Sequence, residues 1–378
     1  MHRELLTPRP DWPQKMEAVG FGFHSIDGIY WDERACYRFS AAEVDILDDA
    51  TAELHALCMA ACAHVIEKRR YAEFAIPELA IDVIEASWRS GAPTLFGRFD
   101  IAWDGEGPPK LLEYNADTPT SLIEASVAQW HWLAEVRPGS DQFNSLHEKL
   151  IARWQEIAQA TGIATLHLAC DGGSEEDVGN LDYMADVATQ AGLAVQFIDI
   201  RHIGWDAGRE CFVDERNAAI DALFKLYPWE WMVREEFGSA LSKCDTMFVE
   251  PAWKMILSNK ALLPLLWELN PGHPNLLPAY FDRWRLSGDV VKKPLLSREG
   301  ANVTIDGVGV RTSTGGDYGA EGFIYQGYQR LPDLAGDGQS HMVIGSWVVG
   351  DSPAGIGLRE DESPITKNTS RFLPHYFE

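Results

Sequence analysis

The sequence is poor in positive charge and has no long apolar run. Its 378 residues include 32 Lys and Arg against 57 Asp and Glu, which gives a formal net charge of −25 at pH 7. A chain this acidic repels nucleic-acid backbones and anionic membrane surfaces, so we expect neither as a partner. No apolar run approaches the ~20 residues of a membrane-spanning helix, and the first residues lack the apolar core of a signal peptide. We therefore expect a cytoplasmic protein.

Cysteine pairs are also missing. None of the six cysteines belongs to a CxxC motif, and an even number in a chain of this length does not indicate a disulfide framework. Cys58 and Cys62 lie four residues apart, together with Leu54 and Val65, in a stretch with helical periodicity. We interpret them as the buried face of a helix and not as metal ligands.

Several common catalytic motifs are absent. The sequence has no GxSxG, HExxH or GxxxxGK[ST] motif, and no GxGxxG that follows a predicted strand. Covalent catalysis by serine or cysteine therefore has no specific support. The length is typical of two to three domains.

The most informative stretch that is present is Lys110–Ser121. A short apolar run predicts a strand, and Glu113 and Asn115 on it point to one face. Asp100 stands beside another apolar run, which predicts a neighbouring strand. Three hard oxygen ligands on adjacent strand ends suit Mg²⁺, which fills its other positions with phosphate and water. The alternative is that Glu113 caps a turn and Asp100 is a surface charge.

Two lysines are candidates for phosphate contacts. Lys293 ends a predicted strand before a loop that contains Gly300, and a lysine with a flexible glycine-bearing loop is a common way to hold phosphates. A surface hairpin is the alternative. Lys260 is a second candidate, with an exposed helix lysine as its alternative. Gln326 ends an apolar strand, where we expect it to face an adenine amino group.

The chain divides into three predicted parts of a mixed α/β fold. Residues 1–142 contain helices and the strands with the acidic residues, residues 143–245 alternate in the manner of a βαβ unit, and residues 246–378 return to mixed α/β. Ligands usually bind beyond the carboxyl ends of such strands, which here means residues 171–177.

These features together resemble a known family. The matching segments occur in order along almost the whole chain and are Gly97–Asp100, Leu112–Ser121, Val249–Trp253, Asn259–Trp267, Lys293–Asn302, Tyr325–Gln326 and Leu358–Ser363. They resemble the synthetase domain of glutathionylspermidine synthase and its shorter bacterial relatives, which are members of the ATP-grasp superfamily. The resemblance implies a circularly permuted ATP-grasp fold. Residues 143–245 would then be an inserted substrate-binding domain of the pre-ATP-grasp type.

The resemblance also implies cofactors and site residues. ATP and two Mg²⁺ ions are expected, with the ions on Asp100, Glu113 and Asn115. Arg98 matches an arginine that stabilises the transition state of phosphoryl transfer. The implied nucleotide contacts are Arg98, Phe99, Asp100, Lys260, Lys293, Gly300, Gln326, Pro364, Ile365 and Thr366. The implied substrate contacts are Thr118, Ser121, Glu175 and Glu176.

Two pairs of residues carry open questions about the substrates. Glu299 and Ala301 replace a cysteine and a serine of the glutathione-using enzyme, so the acid substrate is not specified. Glu175 and Glu176 either bind an ammonium group or begin a helix, where acidic residues favour the N-terminal dipole.

We therefore expect an Mg-ATP-dependent acid–amine ligase that works through an acyl phosphate. Its partners would be small molecules, namely a peptide-like acid and a polyamine or other amino compound. The alternative is a non-catalytic nucleotide-binding protein that retains the fold, although the intact acidic residues argue against it. A metal-dependent phosphatase or kinase would need the same ligands but no amine. The sequence does not indicate an oligomeric state.

Overall fold

The computed structural model of the protein describes residues 1–25, 28–307 and 309–378. Helices are numbered along these residues. They are α1 Trp12–Ala18, α2 Ala41–Lys68, α3 Glu78–Arg89, α4 Gln129–Val136, α5 Leu146–Thr161, α6 Glu175–Gln190, α7 Trp229–Met232, α8 Lys254–Leu257 and α9 Leu262–Leu269.

Strands are numbered in the same way. They are β1 His2–Leu5, β2 Ala35–Phe39, β3 Phe96–Ala102, β4 Lys110–Asn115, β5 Thr165–Cys170, β6 Ala194–Asp199, β7 Gly204–Asp206, β8 Cys211–Val213, β9 Ala222–Leu226, β10 Met247–Val249, β11 Ala279–Tyr280, β12 Val290–Pro294, β13 Thr304–Gly307, β14 Val310–Ser313, β15 Phe323–Gly327, β16 His341–Val349, β17 Ser352–Asp361, β18 Arg371–Leu373 and β19 His375–Phe377.

Three larger sheets organise the molecule. The parallel sheet has the order β10-β9-β5-β6, the carboxylate sheet has the order β18-β17-β16-β3-β4, and the lysine sheet has the order β11-β15-β12-β13-β14. The last two are antiparallel throughout. We name them after Asp100 and Glu113 in the one and Lys293 in the other. The mixed α/β fold class is confirmed.

The parallel sheet contains the predicted βαβ unit. β5 pairs in parallel with β6, and α6 connects them. Ser174 begins α6, since its side chain accepts a hydrogen bond from the Asp177 backbone N–H. Leu150, Leu168 and Phe224 belong to one buried cluster that joins α5 to the sheet. The unit is held by apolar packing, as its near-continuous apolar strands predict.

The carboxylate sheet joins distant parts of the chain. β3 pairs with β4 on one side and with β16 on the other, so residues 96–115 and 341–373 form one sheet. The long helix α2 packs behind it and contributes Leu54, Cys58, Cys62 and Val65 to the core. The buried helix face predicted for the two cysteines is confirmed. All six cysteines, which lie within the described ranges, are free thiols.

Helical periodicity over Ile256–Leu269 predicts one helix with a start or kink near Pro264, but the structure contains two short helices there. α8 ends at Leu257 and α9 begins at Leu262, so the break lies before Pro264 and not at it. Asn259 causes the break, because its side chain bonds Phe74 O and the Ala261 backbone N–H. The Lys260 N–H bonds Leu295 O outside the helix. Among the described residues, no helix is long and apolar enough to cross a membrane.

Candidate active site

A cleft opens between the carboxylate sheet and the lysine sheet. Most of the predicted site residues line it, and these are Arg98, Asp100, Glu113, Asn115, Thr118, Lys260, Lys293, Gly300, Gln326, Pro364, Ile365 and Thr366. They come from segments that are far apart in sequence, so the fold and not local sequence brings them together.

Strand register places the acidic residues side by side. In the β3–β4 pair, Asp100 lies opposite Glu113 and Arg98 lies opposite Asn115. Residues directly opposite on antiparallel strands share a face, with Cβ atoms about 5 Å apart. The two carboxylates, the amide and the guanidinium therefore face the cleft together.

Two arginines hold the Asp100 carboxylate. Arg98 Nε donates to Asp100 Oδ1 at 2.9 Å, and Arg359 Nη2 donates to Asp100 Oδ2 at 2.9 Å. Arg98 Nη1 also donates to Thr120 O at 2.6 Å. The Arg98 side chain runs over Gly345 of β16, where a Cβ would lie 2.9 Å from Arg98 Cδ. A glycine is needed there because any side chain would displace the guanidinium.

Two lysines face the carboxylates across the cleft. Lys260 Nζ lies 3.1 Å from Glu113 Oε2 and donates to Ser297 O at 2.6 Å. Lys293 Nζ donates to Leu112 O and to Gln326 Oε1, each at 2.8 Å. Both lysines are buried, which disagrees with an exposed helix lysine at 260 and with a surface hairpin at 293.

Burial and mutual charge shift the pKa values of this group. Burial opposes the ionisation of Glu113, but the charges of Lys260 and Lys293 outweigh it and lower the pKa of the Glu113 carboxyl to about 2. Burial lowers the pKa of Lys293 to about 8, while Glu113 opposes that shift and Lys260 adds to it. The Glu113 carboxylate thus stays ionised, and the pKa of Lys293 lies close to neutral pH.

The Gln326 side chain supports Lys293. Its Nε2 donates to Leu111 O at 3.0 Å, while its Oε1 accepts from Lys293. Both polar atoms are thus engaged within the protein. The predicted contact of this side chain with adenine stays a prediction, and the structure gives the residue a second role, which is to position the lysine.

A loop from the lysine sheet closes one side of the cleft. Gly300 has φ +68°, and a Cβ on it would lie 2.5 Å from Thr366 O, so the segment 364–366 packs directly on this loop. Arg298 donates to Thr118 Oγ1 at 2.6 Å and to Glu230 Oε1 at 2.9 Å. Glu230 lies in α7, just after the parallel-sheet strand β9, so Arg298 connects the parallel sheet to the cleft.

Four of the predicted residues do not line the cleft. Phe99 points to the other face of β3, where its ring stacks on Tyr114 at 3.9 Å between centroids. Ser121 is buried and Glu175 is exposed. Glu176 accepts a hydrogen bond at 3.0 Å from Asn368, which does line the cleft. Side chains alternate between the two faces of β3, so Phe99 points away from the cleft because its neighbours on either side face it.

Sequence reasoning missed two residues near this site. Arg359, on β17, contacts Asp100. The sequence signal for it was its position within Leu358–Ser363, one of the segments that resemble the family. Glu124 is completely buried behind the cleft. The sequence signal for Glu124 was weak. It is an acidic residue in a helical stretch that is otherwise apolar at Ile123, Ala125 and Val127.

The donor set fits Mg²⁺ better than a transition metal. No group of three or more His, Cys, Asp or Glu side chains is arranged to hold a metal within the described ranges. Asp100, Glu113 and Asn115 supply two carboxylates and one amide, all hard oxygen donors. Mg²⁺ requires few protein ligands when phosphate oxygens complete its shell, so these residues suffice for it.

Comparison with known proteins gives the family. A family profile described as "Glutathionylspermidine synthase preATP-grasp" matches residues 3–378. A protein of Haemophilus influenzae, provisionally named an acid–amine ligase, is 45% identical and covers 98% of this chain and 97% of its own length. Trypanothione synthetase of Crithidia fasciculata is 32% identical over 85% of this chain, and the match spans 53% of that enzyme.

A solved structure shows the same fold at low identity. The glutathione synthetase-like effector of Globodera pallida, in its apo form, superposes with a TM-score of 0.56 and 9% identity, and the match covers 99% of this chain and all of that one. This likeness concerns the fold alone. Because the family profile matches residues 3–378 and these relatives match most of the chain, the chain belongs to the glutathionylspermidine synthase family, as its ordered sequence segments predicted.

Proposed function

We propose that this protein joins a small-molecule acid to an amine through an acyl phosphate, with Mg-ATP as the phosphoryl donor. The broader class, an ATP-dependent carbon–nitrogen ligase, follows from its family and agrees with the sequence prediction. The observation that carries the proposal is the pairing of Asp100 with Glu113 on adjacent strands, opposite Lys260 and Lys293.

The proposed fold is a circularly permuted ATP-grasp. Its two halves would be the carboxylate sheet, which has strands from residues 1–142 and 246–378, and the lysine sheet, which lies within residues 246–378. Residues 143–245 would form the inserted substrate-binding domain. The topology supports this division, because the carboxylate sheet draws strands from both outer parts and the parallel sheet lies almost wholly in the middle one.

The cleft is lined by both charged and apolar side chains, which suits a nucleotide. Val291 and Ile305 of the lysine sheet, with Leu331 and Val343, line the apolar part, which we assign to adenine. Lys260 and Lys293 would contact the phosphates. In a protein of net charge −25, buried and preoriented lysines are needed to offset a polyphosphate.

Asp100, Glu113 and Asn115 would hold magnesium among the charged residues of the cleft. The metal would neutralise charge on the β- and γ-phosphates and orient them for transfer. Arg98 and Arg359 reach the same carboxylate from two strands. We assign Arg98 to the transferred phosphoryl group, where a guanidinium stabilises charge that spreads over the equatorial oxygens.

The chemistry then follows in two steps. A carboxylate oxygen of the acid forms a bond to the γ-phosphorus, and ADP leaves. The amine nitrogen forms a bond to the acyl carbon, the carbon–oxygen bond to phosphate breaks, and phosphate leaves. Thr118, which accepts from Arg298, and the neighbouring Glu299 line the cleft where the acid would lie. The chain's work is to position the reactants and neutralise charge.

The relatives indicate the substrate class. Their names refer to acid–amine ligation and trypanothione synthesis, so we propose a peptide-like acid and a polyamine or similar amino compound. Glu299 stands in the cleft where the glutathione-using enzyme has a cysteine, so the acid need not be glutathione. The proposed partners are small molecules, without nucleic acid.

A screen of ADP release against paired acids and amines tests the function. We expect release that depends on both members of one pair, with an amide as product. The variant Glu113→Gln, which keeps the side-chain shape but removes the charge, should abolish this release, whereas Asp306→Asn, an exposed carboxylate on the lysine sheet, should not. ATP binding without turnover on any pair would favour the non-catalytic alternative. ADP release with an acid or water alone would favour a kinase or phosphatase.

A further inference from the structure

A buried glutamate behind the cleft has no role in the steps above. Glu124 is fully buried, and its Oε2 lacks a hydrogen-bond partner among the residues that the structure describes. It begins a π-helical turn, Glu124–Ala128, inside the helix that starts at Leu122 and continues as α4. Such turns cost helix stability and occur frequently at functional sites. A buried carboxyl with an unpaired oxygen is costly as well, so it requires an explanation.

A chain of hydroxyl groups leads from the cleft wall to this carboxyl. Tyr30 Oη donates to Glu124 Oε1 at 2.7 Å and lies 3.2 Å from Ser121 Oγ. Because the tyrosine proton points to Glu124, the serine hydroxyl is the donor in the second bond. All three side chains are buried.

The outer end of this chain lies one residue away from the cleft lining. Ser121 follows Thr120, which lines the cleft and whose carbonyl accepts from Arg98. Ser121 has φ +68°, a left-handed conformation that is unusual for a residue other than glycine. Strained backbone of this kind persists where the surrounding structure demands one orientation of a side chain.

Three side chains from separate elements affect the pKa of the Glu124 carboxyl. Arg98 of β3, Glu176 of α6 and Tyr30 of the segment before β2 interact with it. Burial raises the pKa of the Glu124 carboxyl to about 7, and Glu176 adds to this, while the Tyr30 hydrogen bond and Arg98 oppose it. Glu176 also interacts electrostatically with Asp177 and with Glu299, which lines the cleft, so several carboxylates lie on this side of it. A cationic amine would be attracted to this side.

We propose that Ser121, Tyr30 and Glu124 form a proton relay that takes a proton from the ammonium form of the amine substrate, with Glu124 as the terminal acceptor. This inference rests on the proposed ligase function. An amine that arrives as a cation has no lone pair and cannot attack the acyl phosphate until it loses a proton. A base near neutral pH, shielded from water, is suited to that task.

The proton transfers and the changes in bonding balance in this reaction. An ammonium proton moves to Ser121 Oγ as the serine proton moves to Tyr30 Oη, and the tyrosine proton moves to Glu124 Oε1. The freed nitrogen lone pair forms the carbon–nitrogen bond, and the carbon–oxygen bond to phosphate breaks. The second proton that the nitrogen loses leaves with phosphate as hydrogen phosphate. After product release, the proton on Glu124 returns to water by the same chain.

The test compares two amines as acceptors of one acyl group. Spermidine is protonated at neutral pH, whereas hydroxylamine is largely unprotonated there and needs no base before it attacks. The acid is glutathione, or the acid that the screen above selects in its place. In Glu124→Gln and in Tyr30→Phe we expect kcat with spermidine at pH 7 to fall by roughly a hundredfold, the scale of general-base catalysis. Hydroxamate formation and the KM for ATP should stay near the wild-type values.

The pH profile separates a relay from a structural role. In both variants the spermidine rate should recover as pH rises, because free amine then forms in solution. Tyr37→Phe is the matched control: it removes a phenol hydroxyl that bonds buried Glu360 on the far side of the carboxylate sheet. That variant should keep both rates.

Three results would overturn the relay. An equal loss of kcat with spermidine and with hydroxylamine would show that Glu124 has a structural role only. An unchanged spermidine rate in both variants would show that Glu124 takes no part in the reaction. If the wild-type protein binds ATP yet forms neither product with any acid, the proposed function fails and the relay with it. The wild-type rates thus distinguish failure of the function from failure of the relay.

Discussion

Lys225 Nζ lies 2.6 Å from Asp117 Oδ1, and both side chains are buried. Lys225 belongs to β9 of the parallel sheet, and Asp117 follows the Asn115 end of β4. Asp117 Oδ2 also accepts from the Trp229 backbone N–H at 2.9 Å. This ion pair therefore ties the loop that carries the predicted substrate residue Thr118 to the carboxyl end of the parallel sheet.

Breaking this pair on one side should be costly. Lys225→Met leaves the buried Asp117 carboxylate without its cation, and we expect a loss of about 3–5 kcal/mol in the free energy of unfolding. Urea unfolding measures it. Adding Asp117→Asn to the same chain should recover a large part of the loss. Arg311→Ala, which breaks an exposed pair with Asp306, should change stability by less than about 1 kcal/mol. A small effect of Lys225→Met would show that water reaches the pair.

Neighbouring lysines on β12 should differ in their effect on nucleotide binding. Lys293 faces the cleft, whereas Lys292 points to the other face of the strand, where its Nζ lies 3.7 Å from the centre of the Phe323 ring. Truncating a desolvated charge contact costs roughly 2–5 kcal/mol of binding free energy. We therefore expect Lys293→Ala to weaken ATP binding by that amount and Lys292→Ala to leave it unchanged. Calorimetric titration measures both, and equal affinities would remove Lys293 from the phosphate site.

Gly345 should be needed for catalysis more than for stability. A Cβ there would lie 2.9 Å from Arg98 Cδ, so Gly345→Ala should push the guanidinium from Asp100. Misplacement of a catalytic group by about 1 Å can lower kcat by roughly a hundredfold. Gly315→Ala is the control, since a Cβ at that exposed loop position meets no atom within 4 Å. ADP release is the measurement, and wild-type turnover in Gly345→Ala would mean that Arg98 is not the phosphoryl-stabilising residue.

Glu124 should make stability depend on pH. Its carboxyl has a pKa of about 7 in the folded protein against 4.5 for an ordinary glutamate. Between these values the folded state binds more protons than the unfolded state, so the free energy of unfolding falls as pH rises. Glu124→Gln removes this term and should be more stable than the wild type by up to roughly 3 kcal/mol above pH 7.

Thermal or urea unfolding at several pH values measures this difference. The gain in Glu124→Gln should shrink as pH falls through the window and vanish near pH 4.5. A constant difference between the two proteins from pH 4.5 to 8 would mean that the Glu124 carboxyl does not titrate in this range. This measurement needs no substrate, so it stands independently of the ligase assays.

Local pattern was sufficient for several of the elements and for part of the site. Glu113 and Asn115 share a face because side chains alternate along any strand, and that required no knowledge of the neighbours. The βαβ unit followed from apolar runs of strand and helix length, and the structure confirms it. The family also followed from short segments in order. These inferences succeed because each depends on residues that are close together in the sequence, within one or two helical turns or strands.

Tertiary structure alone decided the contacts between those elements. Asp100 meets Glu113 through strand register and meets Arg359 across a separation of 259 residues. Lys260 reaches Glu113 because Asn259 breaks the helix that periodicity predicted, and the bond that breaks it goes to Phe74 O. Glu124 looked like any helix glutamate until packing enclosed it. Periodicity constrains which face a side chain occupies, whereas its partner, its burial and its pKa arise from long-range packing.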